Sequence, residues 1–240
     1  EIIMANAGCG DKNVIAPGWM IPSHDLVISI AQFWGNGYFH LVYENVIRLA
    51  PILNITDRFQ QSMVHVNQLD RHTVEYLQFF GIPHRRIITG NVNVRILIVP
   101  QPVLCGNPST VLLRVLRQVV LRNIMSTSTV AHSSGMSPIS NCRILIIRRD
   151  GTRRVTNHDV MFKAIEHQHS DCEVIVHTGK EPLKSQLELF RSATTIVAPH
   201  GAGLSNMFIS RPGTGILEFL IINEVNLIFM TAAAKLGFQY

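Results

Sequence analysis

The stretch Pro199-His200-Gly201-Ala202-Gly203-Leu204-Ser205-Asn206 carries the clearest chemical potential in the 240-residue sequence. An apolar, β-branched run over residues 194–198 stops at Pro199, and a helix-forming segment opens at Ala202. Glycines at the carboxyl end of a strand let a ligand approach the backbone, and the unpaired N–H groups at a helix start suit phosphate. Taken alone, Gly201 and Gly203 equally fit a tight structural turn with His200 as a helix cap, so the neighbours decide the reading.

Two neighbours favour a ligand. Glu218 stands in the apolar run Gly215-Ile216-Leu217-Glu218-Phe219, where a carboxylate needs a partner to offset its desolvation. It can accept ribose hydroxyl protons; a plain salt bridge is the alternative. Arg148 and Arg149 close the run that starts at Arg143, and Arg153-Arg154 follow the turn Asp150-Gly151-Thr152. Guanidinium forks at strand ends suit a diphosphate. Arg149 is the expected contact, with most of the cluster on the solvated turn.

A second set lies in Trp34-Gly35-Asn36-Gly37-Tyr38-Phe39-His40-Leu41-Val42-Tyr43-Glu44, where His40 and Glu44 share a helix face at i,i+4 spacing. Either can serve as a general base for a hydroxyl proton, and burial favours Glu44 by raising a carboxyl pKa. An ordinary helix contact is the plain reading of the same pair. No Asp-x-Asp occurs in the sequence, so a developing diphosphate charge is expected to be met by arginines and helix ends without an obligatory metal.

The elements that must position these residues alternate between strand-like and helix-period segments, the pattern of an α/β protein with parallel sheets. Strands are expected over 26–31, 94–99, 143–148, 173–177, 194–198 and 215–220. Helices are expected over 39–53, 71–80, 108–124, 157–167, 183–192, 202–209 and 226–236. The polar, turn-forming stretch from Ser126 to Pro138 suggests a lobe at 1–125, a linker at 126–139 and a nucleotide-binding-like lobe at 140–240.

With 47% hydrophobic and 15% charged residues, the sequence can build a large core and does not read as disordered. A net charge of +5 suits an anionic ligand, but 7% aromatic content and the lack of a nucleic-acid-binding signature argue against nucleic acid. No run of about twenty apolar residues is present. The sequence starts at Glu1 and ends at Tyr240 after a helical stretch, which reads as a piece of a longer chain whose membrane anchor, if any, lies outside it. Cys9, Cys105, Cys142 and Cys172 form no Cys-x-x-Cys pair, so thiols and two disulfides both remain open while a structural zinc site is not indicated. Asn54-Ile55-Thr56 is a glycosylation sequon and leans toward a lumenal compartment.

Taken in order, these segments resemble glycosyltransferase family 61, the group that includes plant xylan arabinosyl- and xylosyltransferases and animal protein O-linked N-acetylglucosaminyltransferases. The resemblance rests on His40, Glu44, Arg48 and Leu49; on Arg149 with Arg154-Val155-Thr156-Asn157; on Ser185 to Phe190 with Ala193; and on His200 to Asn206, Pro212-Gly213 and Glu218. It implies a GT-B-type α/β fold, two Rossmann-like lobes of parallel sheet and helices facing a cleft, and transfer with inversion from a nucleotide sugar, usually UDP-linked, to a glycan or glycoprotein hydroxyl. The implied donor-site residues are Arg149, Arg154, Asn157, His200, Gly201, Ala202, Gly203, Asn206 and Glu218, with His40 and Glu44 on the acceptor side and no metal or further cofactor. The implied compartment is the Golgi or ER lumen, or the cytoplasm for a bacterial chain. His158 stands where the family commonly has an acid, and the sequence ends where the family continues into a closing helix.

A degenerate, sugar-binding domain is the rival reading. The His-Gly-Ala-Gly loop also resembles the oxyanion loop of α/β hydrolases, but these need a Gly-x-Ser-x-Gly elbow that the sequence lacks.

Overall fold

A computed structural model describes residues 21–53, 59, 61–127, 142–221 and 225–240. The sequon, Cys9 and residues 128–139 of the expected linker lie outside these residues. The described chain is α/β, with two four-stranded sheets whose strands all run parallel. The chain divides into two compact units between Pro108 and Ser109.

In the first unit, strands β1 (Ser23–Ser29), β2 (Met63–His65), β3 (Ile87–Ile88) and β4 (Asn93–Ile98) lie in the order β3-β2-β1-β4. Strands β2 and β3 escape the sequence pattern because runs of three and two residues are too short to show a period. Helix α1 opens at Tyr38–His40, widens into a π-helix at Leu41–Val46 and returns to α geometry at Ile47–Leu53. All residues from Leu41 to Ala50 are buried. A second helix, α2 (Arg71–Phe79), is capped by Asp70, whose side chain accepts from the Thr73 N–H. The core of this unit gathers Ile28, Ile30, Leu49, Val64, Val66 and Leu77.

In the second unit, α3 (Thr110–Thr127) precedes β5 (Arg143–Ile147), α4 (His158–Gln168), β6 (Glu173–His177), α5 (Leu183–Ser192), β7 (Thr195–Pro199), β8 (Gly215–Phe219) and α6 (Ile228–Leu236). The sheet order is β6-β5-β7-β8. Strands β5 and β7 are almost wholly buried, which explains why their sequences are continuous apolar runs instead of alternating ones. Helix α5 turns Leu183, Gln186, Leu187 and Phe190 inward at helical spacing. Helix α3 belongs to this unit, packing on α6 and on the segment after β7, and not to the first lobe as its position before the polar stretch suggested. Its apolar face gives no sign of which lobe it covers. Cys142 and Cys172 form a disulfide that ties the start of β5 to the start of β6.

Each sheet reverses its strand order once. In the first unit the chain steps from β1 to β2 and β3, then returns to the other side of β1 with β4. In the second it steps from β5 to β6 and crosses back to place β7 on the other side of β5. At such switch points the connections leave in opposite directions and open a crevice beyond the strands' carboxyl ends, where ligands of open α/β sheets bind.

Candidate functional site

The loop after β7 sits at the switch point of the second sheet. Its turn depends on Gly201, whose φ of 147° is one that residues with a side chain adopt only under strain. A Cβ there would also lie 1.6 Å from Arg149 Nη1. The guanidinium uses that space: Nη1 donates to the His200 carbonyl at 3.2 Å. Arg149 follows β5 and His200 follows β7, so a single hydrogen bond spans the two strand ends that define the crevice. At Gly203 a Cβ would come within 2.9 Å of the Ile147 side chain, and the close approach holds the loop down on β5.

From Ala202 the chain continues as a 3-10 helix, Ala202–Ile209, in place of an α-helix. Leu204 to Ile209 are buried, while Ala202 and Gly203 remain half-buried at the open end. Asn206, expected at the ligand, is 1% exposed and donates to Gln186 Oε1 at 3.1 Å. It braces the loop against α5, because a side chain beneath the loop cannot also face the crevice.

His200 is held by two elements. Its Nδ1 donates to Glu218 Oε1 at 2.6 Å, and its ring meets Phe229 of α6 edge-on, with centroids 5.6 Å apart. The Glu218 side chain is fully buried, and its Oε2 accepts from the Tyr240 hydroxyl. Burial, then the Glu218 carboxylate, pushes the Tyr240 phenol above its ordinary pKa. Glu218 therefore departs from its expected role. With no exposed side-chain surface it cannot meet a ribose while Tyr240 stays in place, and its visible work is to orient His200.

Arg149, Arg154 and Asn157 line one open cavity of about 440 Å³, together with Ile147, Arg148 and Asp150. Arg154 and Asn157 also line an adjoining cavity of about 450 Å³, bounded by Pro199 and Phe219. The sequence-predicted cations and the end of β7 thus come together. Burial, and then the charge of Arg153, lowers the Arg149 pKa from its ordinary value. Arg153 itself has a positive φ of 58°, the only such non-glycine among the described residues. A bound anion would relieve the repulsion between the two guanidiniums.

In the first unit, His40 and Glu44 lie at the other switch point. Glu44 is 1% exposed, and its Oε1 lies 2.9 Å from His40 Nδ1. Gln32, beyond β1, donates from Nε2 to Glu44 Oε2 at 3.0 Å and to the Val103 carbonyl, beyond β4, at 2.9 Å. Arg48 donates to the carbonyls of Ile30 and Pro100 and so ties the same two strand ends together. Burial lowers its pKa from the ordinary value. Asn67 fixes Gln32 in turn, accepting from its backbone N–H at 3.0 Å and donating to its carbonyl at 2.8 Å. The π-helix contains Glu44: the Ile47 N–H reaches back to the Val42 carbonyl, five residues earlier. Such widened turns are rare and frequently occur at functional sites.

The profile of Glycosyltransferase 61 matches residues 22–217. The chain belongs to glycosyltransferase family 61. That match takes in every sequence-predicted site residue except Glu218, which follows its last residue. Comparison with the curated proteins returns no match. The family accounts for a two-sheet, GT-B-like α/β architecture and for a sugar donor and acceptor in general. Gln32, Asn67 and Tyr240 were given no role by the sequence, Gln186 appeared only within the helix Ser185 to Phe190, and Cys105 only as one of four cysteines. Their partners lie far along the chain, such as Val103 for Gln32, and no local motif marks such a pair.

Proposed function

We propose that this family 61 member transfers a sugar, with inversion, from a UDP-type nucleotide sugar to a hydroxyl of a glycan or glycoprotein. The observation that carries the donor side is the bond from Arg149 to the His200 carbonyl at the β5/β7 switch point, beside a cavity that Arg154 and Asn157 also line. Phosphate oxygens are received by these two arginines and by the N–H groups that open the 3-10 helix at Ala202 and Gly203. The leaving diphosphate is stabilised by fixed cations and needs no obligatory metal. Glu218 acts through His200 as a positioning residue.

On the acceptor side, the burial of Glu44 favours His40 as the proton acceptor, since its side chain retains 24% exposure. Glu44 fixes the ring and stabilises the imidazolium that forms, a division of labour familiar from acid–histidine pairs. The disulfide between Cys142 and Cys172 supports an oxidising, lumenal compartment.

The test is a nucleotide-release assay over a panel of UDP-sugars and hydroxyl acceptors, paired with thermal unfolding in saturating UDP. A ligand at 100 times its Kd stabilises by about 2.7 kcal/mol. Stabilisation by UDP and acceptor-dependent release are expected; neither signal with any donor sinks the reading.

A further inference from the structure

We propose that His40, Glu44 and Cys105 form a binding site for a divalent transition ion of the zinc class. The ring nitrogen of His40, a carboxylate oxygen of Glu44 and the sulfur of Cys105 all lie within 4.8 Å of one another. His40 Nδ1 is 2.9 Å from Glu44 Oε1 and 4.0 Å from Cys105 Sγ. Imidazole nitrogen, carboxylate oxygen and thiolate sulfur are the three donor types that proteins use for zinc. The i,i+4 spacing on α1 sets the first two, and the turn at Cys105-Gly106 beyond β4 brings the third.

A second observation points to the same ion. Glu44 is 1% exposed; its Oε1 is approached by the His40 imidazole at 2.9 Å, and the Cys105 thiol hydrogen-bonds the same carboxylate. Its other oxygen is met by Gln32, so the carboxylate is anchored from behind and leaves Oε1 directed at the His40 nitrogen and the thiol. Both groups that approach this buried oxygen, the imidazole and the thiol, become metal donors once a cation takes the place of their protons. His40 is half-buried and Cys105 exposed, so the ion has a path from solvent. Three protein ligands leave a fourth position for water or another small ligand, the pattern of an open zinc site instead of a closed structural one.

Binding has a proton cost. The ion takes Nδ1 of His40 and the sulfur of Cys105, so the thiol proton leaves to solvent and any imidazole proton must reside on Nε2. That tautomer cannot accept an acceptor-hydroxyl proton at Nε2. An occupied site therefore opposes the base role assigned to His40, and zinc is an inhibitor if that role is correct. The site itself does not rest on the transferase reading, because binding is measured directly.

The experiment uses the full 240-residue chain and Cys9→Ser variants of it, in which Cys105 is the sole free thiol given the Cys142–Cys172 disulfide. Co2+ is the spectroscopic probe and Zn2+ the ligand, with a chelating dye as competitor. One equivalent of Co2+ is expected, with a near-ultraviolet thiolate-to-cobalt band that Zn2+ removes. Adding Cys105→Ser to that background should abolish the band and weaken Zn2+ binding by at least about tenfold, the lower end of what outer-shell partners alone cost. Far-ultraviolet circular dichroism establishes that each variant folds. No thiolate band in the Cys9→Ser protein, Zn2+ affinity unchanged by Cys105→Ser, or a wild-type Cys105 locked in a disulfide overturns the proposal. Stoichiometric binding that leaves turnover intact upholds the site and counts instead against His40 as the base.

Discussion

Substituting Gly201 by alanine tests at once what the loop contributes to the fold and what it contributes to ligand binding. The added Cβ would lie 1.6 Å from Arg149 Nη1 and 2.9 Å from its Cζ, so the guanidinium must leave the His200 carbonyl. The backbone must also abandon a φ of 147° or hold it under strain that costs about 1–3 kcal/mol. At roughly 2–4 °C per kcal/mol for a chain of this size, Tm should fall by about 2–12 °C. Losing a charged hydrogen bond to a phosphate removes about 1.5–3 kcal/mol, or roughly 10- to 150-fold in the Kd for UDP. Arg149→Ala supplies the comparison, with a similar loss of affinity but a smaller fall in Tm, since it creates no clash. Titration calorimetry with UDP and scanning calorimetry without it read the two effects. Wild-type UDP affinity in Gly201→Ala, measured below its Tm, would refute the assignment of this loop to the nucleotide.

Three further outcomes follow from other parts of the molecule. Glu44→Gln keeps the shape of the buried side chain but removes its charge, so turnover should fall by about 10²- to 10⁴-fold, with UDP affinity changed less than twofold; a large loss of UDP binding with intact turnover reverses the roles. Burial lowers the pKa of His65, whose ring lies between Ser29 Oγ and the Gly90 carbonyl, and also that of His177, where Glu181 opposes the effect. The unfolded chain therefore takes up protons near pH 6.5 that the folded chain refuses, so stability is fully present above that value and declines as pH falls through the lower folded pKa values. Tm should drop between pH 6.5 and 5, less so in His65→Gln; a Tm that rises over that interval contradicts the sign. Removing the Cys142–Cys172 bridge, which spans 30 residues, should destabilise the second unit by about 3.6 kcal/mol on the loop-entropy estimate. Denaturant unfolding of Cys142→Ala/Cys172→Ala checks it, and a loss below about 1 kcal/mol would show that closing this loop matters little.

The second sheet was readable because β5 and β7 are buried on both faces, which leaves Ile144 to Ile147 and Ile196 to Ala198 as uninterrupted apolar runs. The position of Arg149 was readable for a related reason: a polar residue directly after such a run stands at its carboxyl end, and a parallel sheet gathers those ends. Arg154 and Asn157 stand further along, past the turn at Asp150-Gly151-Thr152, and were marked by the resemblance to the family. The fate of Asn206 and Glu218 was not. Each is polar within an apolar segment, which fits a ligand contact and a buried brace equally well. Only Gln186, 20 residues before Asn206, and Tyr240, 22 residues after Glu218, distinguish the two. The preference for Glu44 over His40 as base changed on the same ground, since spacing sets the pair on one face but burial decides which member solvent can reach. Helix α3 shows that amphipathic pattern declares a buried face and leaves open what covers it.

The account rests on a nucleotide held between the ends of β5 and β7. A crystal structure of the chain soaked with UDP tests that placement most directly. The diphosphate should lie within hydrogen-bond reach of the Arg149 guanidinium and the N–H groups of Ala202 and Gly203, with Arg154 facing the same cavity. UDP bound elsewhere, with Arg149 still donating to the His200 carbonyl, would contradict it.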